Sequence, residues 1–341
     1  MSPRGRTAPG IDQAGPAVVA LGGGHGLAAT LEALRRVTDR ITAVVTVADD
    51  GGSSGRLREE FGVIPPGDLR MALAAWCGDD TWGRTWERVI QHRFTSEGPL
   101  NGHALGNLLI TALWQTTSGP VEGLDWVAAL LEAQGRVLPS TTQPLEIVAT
   151  IRGHDRERPD ALVDVVGQVA VAGTPGRVEV IGVVPADAPA CSESRVAVAE
   201  ADAVILGPGS WFTSVLPHLL ITELRTAIVE SPATKILVVN LNPESGETSD
   251  FSAHAHLEDL QSRFPEIRLD WVVADPSHVE DRDALRTSAS AMGAQVFLAD
   301  IARGRWEPGQ HDPQRLAVAF DSVLGLRRSP DESEDVRFPW R

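Results

Sequence analysis

The first regular feature of the chain is a five-residue apolar run, Ala17-Val18-Val19-Ala20-Leu21, which stops at glycine. Leu27, Leu31 and Leu34 follow on one face at helical spacing and predict a helix over 27–36. The stretch 41–48 is continuously apolar and rich in β-branched residues, as expected of a parallel strand covered on both faces. Strand, helix, strand is a βαβ unit, and it predicts an α/β chain with a parallel sheet. Residues 68–134 read as mostly helical, with Trp76, Trp82, Trp86, Trp114 and Trp126 expected to pack in the core. Over about 136–184 the pattern changes to short β segments, 146–151 and 178–184, separated by Gly and Pro. This predicts a β-rich insertion or edge sheet. A second α/β half then supplies strands at 203–206, 236–240, 270–273 and 295–298, with helices at 253–264 and 282–292.

Composition narrows the picture. With 341 residues, 43% hydrophobic and 22% charged, the chain can bury one large α/β core. A net charge of −16 argues against nucleic acid, whose affinity comes largely from neutralising phosphates. A small anionic ligand remains compatible, because backbone N–H groups and a few arginines can reverse the field locally. Lys235 is the only lysine, so no P-loop Gly-Lys-Ser/Thr exists. No apolar run approaches the roughly 20 residues of a membrane span. Residues 1–15 lack the apolar stretch of a secretory signal and read as a disordered leader, and 327–341 as a charged, disordered tail. Cys77 and Cys191 make no disulfide framework and read as small buried hydrophobes. A cytoplasmic protein is expected.

Five segments carry candidate chemistry. Gly22-Gly23-Gly24-His25-Gly26 lies between the first strand and helix, where glycines let successive N–H groups face a phosphate at a helix N-terminus. Leu27 replaces the last glycine of GxGxxG, so the dinucleotide fingerprint is incomplete. Asp49-Asp50-Gly51-Gly52-Ser53-Ser54-Gly55-Arg56 follows the second strand, at the carboxyl end where open α/β sheets bind ligands. The acids there suit a ribose hydroxyl, or Asp49 and Asp50 together a Mg²⁺ ion beside a diphosphate, and Arg56 adds a charge-assisted fork. In Pro65-Pro66-Gly67-Asp68-Leu69-Arg70, Asp68 is placed to cap the next helix. Arg70 sits against the helix dipole, which points to a ligand. Gly102-His103 to Asn107 offers an imidazole for acid/base work, or simply a residue at a helix start, and an amide suited to a base edge or sugar. Gly207-Pro208-Gly209-Ser210, with Thr213 behind it, mirrors the first loop in the second half. Asn240 ends the next strand beside it.

Together these segments resemble the gluconeogenesis-factor (YvcK) family and, more distantly, the CofD-like 2-phospho-L-lactate transferases, over nearly all of 18–318. The sharpest stretch runs from Val44 through Asp49-Asp50-Gly51-Gly52-Ser53-Ser54-Gly55-Arg56 to Arg58. The resemblance implies a Rossmann-like three-layer α/β/α fold with a mostly parallel sheet, forming a single CofD-like domain over 16–326. It further implies a UDP-sugar ligand, notably UDP-N-acetylglucosamine, and a role in cell shape and wall synthesis during gluconeogenic growth. Downstream cell-wall proteins are unknown, and a homodimer is compatible with the sequence. Three departures stand out: His25 replaces threonine in the first loop, Phe212 replaces a tyrosine, and Gln310 precedes His311-Asp312 where the family has arginine. The expectation is a nucleotide-sugar binder with no catalytic residues. Two rivals are a CofD-like transferase that uses a nucleotide donor with Mg²⁺, and a nicotinamide dehydrogenase.

Overall fold

A computed structural model describes residues 15–155, 157–241, 248, 251–304 and 309–325. The expected leader, apart from Gly15, and the expected tail lie outside the described residues. Among the described residues there are ten strands: β1 Val18–Gly22, β2 Ile41–Val45, β3 Arg136–Pro139, β4 Glu146–Arg152, β5 Leu162–Val166, β6 Arg177–Val184, β7 Ala203–Leu206, β8 Thr234–Val238, β9 Trp271–Ala274 and β10 Gln295–Leu298.

Seven of them form one sheet in the order β10-β9-β8-β7-β1-β2-β3, with every pairing parallel. The chain steps outward from β1 to β2 and β3, then returns to the other side of β1 and steps outward again from β7. Between β1 and β7 the direction of winding reverses. That gap is the topological switch point, where helices leave on opposite faces and a crevice opens at the strands' carboxyl ends. Leu21 pairs with Leu206 and Gly22 with Val45, so the loops after β1, β2 and β7 emerge at one level.

The predicted helix face is buried: Leu27, Leu31 and Leu34 all lie against the sheet. The helix itself is Gly24–Leu34, so the first glycine loop supplies its opening turn. Strand β2 stops at Val45, three residues short of expectation. Its partner β3 ends at Pro139, opposite Val45, and the Ser140 N–H closes the ladder on the Val45 carbonyl at 2.8 Å.

The β-rich region divides in two. β3 was expected within the insertion, but it forms the edge of the main sheet, with Val137 and Leu138 buried. Only β4, β5 and β6 make the separate antiparallel sheet, ordered β5-β4-β6. The tryptophans divide as well. Trp76 and Trp114 are buried, whereas Trp82 and Trp126 are 46% and 58% exposed, which corrects their assignment to the core. Trp82 lies on the surface helix Thr81–Gln91, packs on Trp86 at 5.6 Å between ring centroids and donates its indole N–H to Leu130 O. Among the described residues no helix is long and apolar enough to cross a membrane.

Leu31 is fully enclosed between its helix and the sheet, so Leu31→Ala should destabilise the fold by about 2–5 kcal/mol. Urea unfolding measures this, and a loss below about 1 kcal/mol would mean that the helix is not packed as described.

Candidate functional site

The crevice at the switch point is built from two glycine loops in contact. Leaving β1, the chain passes Gly23 in extended conformation (φ −157°), with no side chain capping the helix that begins at Gly24. The first N–H groups of that helix therefore have no cap from their own segment, and they carry the positive end of the helix dipole. A Cβ on Gly26 would overlap the Pro208 carbonyl and lie 3.1 Å from Gly209 Cα. Only glycine lets the second loop lie directly on this helical turn. Gly209 has φ +144°, a backbone region open to glycine. Beyond it Ser210 leads into a buried π-helical turn, Trp211–Val215, which encloses Thr213.

Two carboxyl groups lie near one another, Asp68 at the first loop and Asp49 at the loop after β2. Asp68 accepts the Gly24 N–H, and its Oδ2 would lie 2.5 Å from a Cβ on Gly23. Asp49 accepts the Gly51 N–H at 2.9 Å, and its Oδ2 would lie 2.9 Å from a Cβ on Gly67. Loss of hydration, with the nearby negative charge of Asp49, raises the Asp68 pKa to about 7; the Gly24 N–H and Arg70 oppose the shift. Arg70, 4% exposed, has its pKa lowered to about 10 by burial and by the charge of Arg93, and it remains a cation at neutral pH.

A chain of buried hydrogen bonds runs beneath the loop after β2. Arg70 Nε donates to Asn107 Oδ1 at 2.9 Å. Asn107 Nδ2 donates to Ser53 Oγ at 3.1 Å, and Ser53 Oγ lies 3.0 Å from His103 Nδ1. Ser53 and Ser54 are buried in the first turn of the helix Gly52–Phe61, whose N-terminus opens at the end of β2.

Several expected ligand contacts are committed to the protein instead. Asp50 turns from Asp49 toward the antiparallel sheet, accepts the Val169 N–H at 3.0 Å and crowds Gly167. The adjacent aspartates therefore do not form a two-carboxylate clamp for Mg²⁺. Among the described residues no group of three or more His, Cys, Asp and Glu is arranged to hold a metal. Asp68 makes no cap on its own helix. Arg56 is exposed and donates to the Pro99 and Asn101 carbonyls at 3.2 and 2.8 Å. Asn240 accepts from Gly209 N at 2.8 Å and donates to Gly209 O at 2.7 Å, fixing the second loop. His25 is exposed on the first helical turn. Phe212 is buried against Phe251 and under the Arg263 guanidinium, a setting that suits a plain phenyl ring.

Sequence reasoning missed His218. Fully buried, it hydrogen-bonds the Gly22 carbonyl through Nε2 at 3.2 Å, and burial lowers its pKa to about 4. It is therefore neutral, and Nε2–H is the donor. A lone histidine in the apolar segment Val215–Ile221, just after the second loop, was the available signal. A second cleft of about 510 Å³, lined in part by Arg40, Arg136, Glu193 and Glu200, opens at the amino ends of β1 to β3. It lies at the opposite end of the sheet from the converging helix N-termini.

The family profile described as 2-phospho-L-lactate transferase CofD matches residues 18–307. A Mycobacterium tuberculosis protein named "Putative gluconeogenesis factor" is 47% identical over 311 residues, covering 90% of each chain. The "Gluconeogenesis factor" of Listeria monocytogenes is 37% identical over 322 residues, covering 91% of this chain and 96% of that one. A crystal structure of a UPF0052-family protein from Bacillus halodurans superposes with a TM-score of 0.78 at 29% identity, covering 89% of this chain and 98% of its own. The chain belongs to the CofD family and, within it, to the gluconeogenesis factors.

The raised Asp68 pKa has a definite sign. Between about pH 4 and pH 7 the unfolded carboxyl is ionised while the folded one keeps its proton, so stability falls as pH rises through that window. Asp68→Asn should flatten this slope and raise the melting temperature at pH 8. Parallel slopes for parent and variant would show that Asp68 ionises normally.

Proposed function

We propose that this gluconeogenesis factor is a cytoplasmic regulatory protein that binds a UDP-sugar, with UDP-N-acetylglucosamine the leading candidate. The observation that carries the reading is the pair of glycine loops, after β1 and β7, in contact across the switch point. Two anion-compatible loops side by side suit a diphosphate better than a single phosphate. In this reading the residues 22–26 and 207–210 hold the diphosphate, Asp49 lies toward the nucleoside or sugar, Arg70 balances charge, and Asn107, expected to contact the ligand, is committed to Arg70 and Ser53 instead. Asp50, Arg56 and Asn240 act by holding the loops.

A CofD-like transferase is the second reading, favoured by the family profile and by a carboxyl group in the crevice that titrates near neutrality. Turnover of a nucleotide donor with a deazaflavin acceptor would decide for it.

UDP-N-acetylglucosamine at about 100 times its Kd should add roughly 2.7 kcal/mol of stability, while free N-acetylglucosamine should add none. Thermal shift reads this directly. Equal stabilisation by the free sugar, or none by any uridine nucleotide, would overturn the reading. Gly209→Asp sets a carboxylate in the second loop and should abolish the shift.

In cells, deletion should leave growth on glucose near normal and give swollen or lysing cells on a gluconeogenic carbon source. Gly209→Asp should fail to restore shape. Full restoration by a variant shown not to bind would separate the shape function from this crevice.

A further inference from the structure

The buried hydrogen-bond chain under the β2 loop has a direction, and that direction fixes a proton. An arginine Nε only donates, so the Asn107 atom facing Arg70 is its carbonyl oxygen, and the Asn107 amide nitrogen faces Ser53. Ser53 Oγ then accepts from Asn107 Nδ2 at 3.1 Å and from the Ala104 N–H at 3.4 Å. Both lone pairs of the hydroxyl are engaged. Its one proton is left for the remaining neighbour, His103 Nδ1, at 3.0 Å. If Nδ1 carried the proton instead, Ser53 would accept three bonds and its own hydrogen would have no acceptor among these partners.

We infer that His103 is held as the neutral Nε2–H tautomer and serves the crevice as a fixed hydrogen-bond donor to an anionic or carbonyl oxygen of the ligand, not as a general base. Ser53 is the positioning residue, and Asn107 and Arg70 orient it. The electrostatic setting agrees: burial, then the charge of Arg56, lower the His103 pKa, with Glu60 opposing. Nε2 has no hydrogen-bond partner among the described residues and is not one of the enclosed unpartnered atoms, so it is left to solvent or ligand. Three elements converge to set this one proton: the helix carrying Arg70, the helix Gly52–Phe61 carrying Ser53, and the turn at the start of the helix Leu105–Thr116.

The acceptor's identity rests on the UDP-sugar reading, but the tautomer does not, so the test begins with the ligand-free protein. The nine histidines are labelled with ¹⁵N, and long-range ¹H–¹⁵N spectra at pH 7 are assigned for His103 by its loss in His103→Gln. The expected pattern is a protonated Nε2 and an unprotonated Nδ1. Ser53→Ala should convert it to an exchanging mixture of tautomers. A protonated Nδ1 or an imidazolium in the parent would overturn the inference whether or not nucleotides bind, as would an unchanged pattern in Ser53→Ala. Titration with UDP-N-acetylglucosamine then reads the donor. The expected order of affinity is parent, His103→Gln, then His103→Ala, with the last weaker by about tenfold. Equal losses in the two variants would show that the Nε2 donor is not used. If the parent itself binds no uridine nucleotide, the ligand reading fails while the spectra still decide the tautomer.

Discussion

Much of the structure depends on how closely the turn containing Gly26 approaches the Pro208 carbonyl. The two halves of the sheet are wound in opposite directions from β1 and β7, and their first loops must share the space above that junction. Any side chain at Gly26 would fill it. With glycine there, the N-terminus of one helix and the loop entering the Trp211–Val215 turn form a single continuous surface. That surface is the floor of the crevice, and Asp68, carried by the helix Gly67–Ala75, lies against it at Gly23.

Around this floor the polar groups divide between those that hold the loops and those that remain for a ligand. Asn240 clasps both backbone groups of Gly209, His218 donates to the Gly22 carbonyl, and Asp50 ties the β2 loop to the antiparallel sheet. These are preorganising contacts: their strength is used in the free protein to fix loops that a ligand would otherwise have to order. Asp49, Asp68 and the buried Arg70 form the charged part of the crevice. On a chain of net charge −16, local N–H groups and the cations Arg70 and Arg93 oppose the overall field at this point.

Family membership is consistent with this division of labour but does not dictate it. The profile that covers the chain is described by a transferase, while the relatives at 37–47% identity carry the name gluconeogenesis factor. Fold alone does not choose between holding a nucleotide and using one. At the crevice the imidazole that the sequence offered for acid/base work, His103, is hydrogen-bonded to Ser53.

The sequence by itself determined the parallel α/β sheet, because continuous apolar strands record burial on both faces of a sheet and the Leu27, Leu31, Leu34 stripe records one helix face packed against it. It also located the loops after β1, β2 and β7, since glycine clusters at strand ends have few other uses. It placed Arg136–Pro139 in the wrong sheet, because a four-residue apolar strand carries no local mark of its partner. Tertiary structure alone decided the fate of the polar residues. Asp49 and Asp50 are neighbours in sequence but point to different partners, whereas Asp68, nineteen residues from Asp49, shares its crevice. Arg70, Asn107, Ser53 and His103 become one hydrogen-bonded chain only when separate elements meet. Apolar periodicity records which face of an element is buried. The partner of a side-chain donor or acceptor is set by three-dimensional distance, which no local pattern encodes.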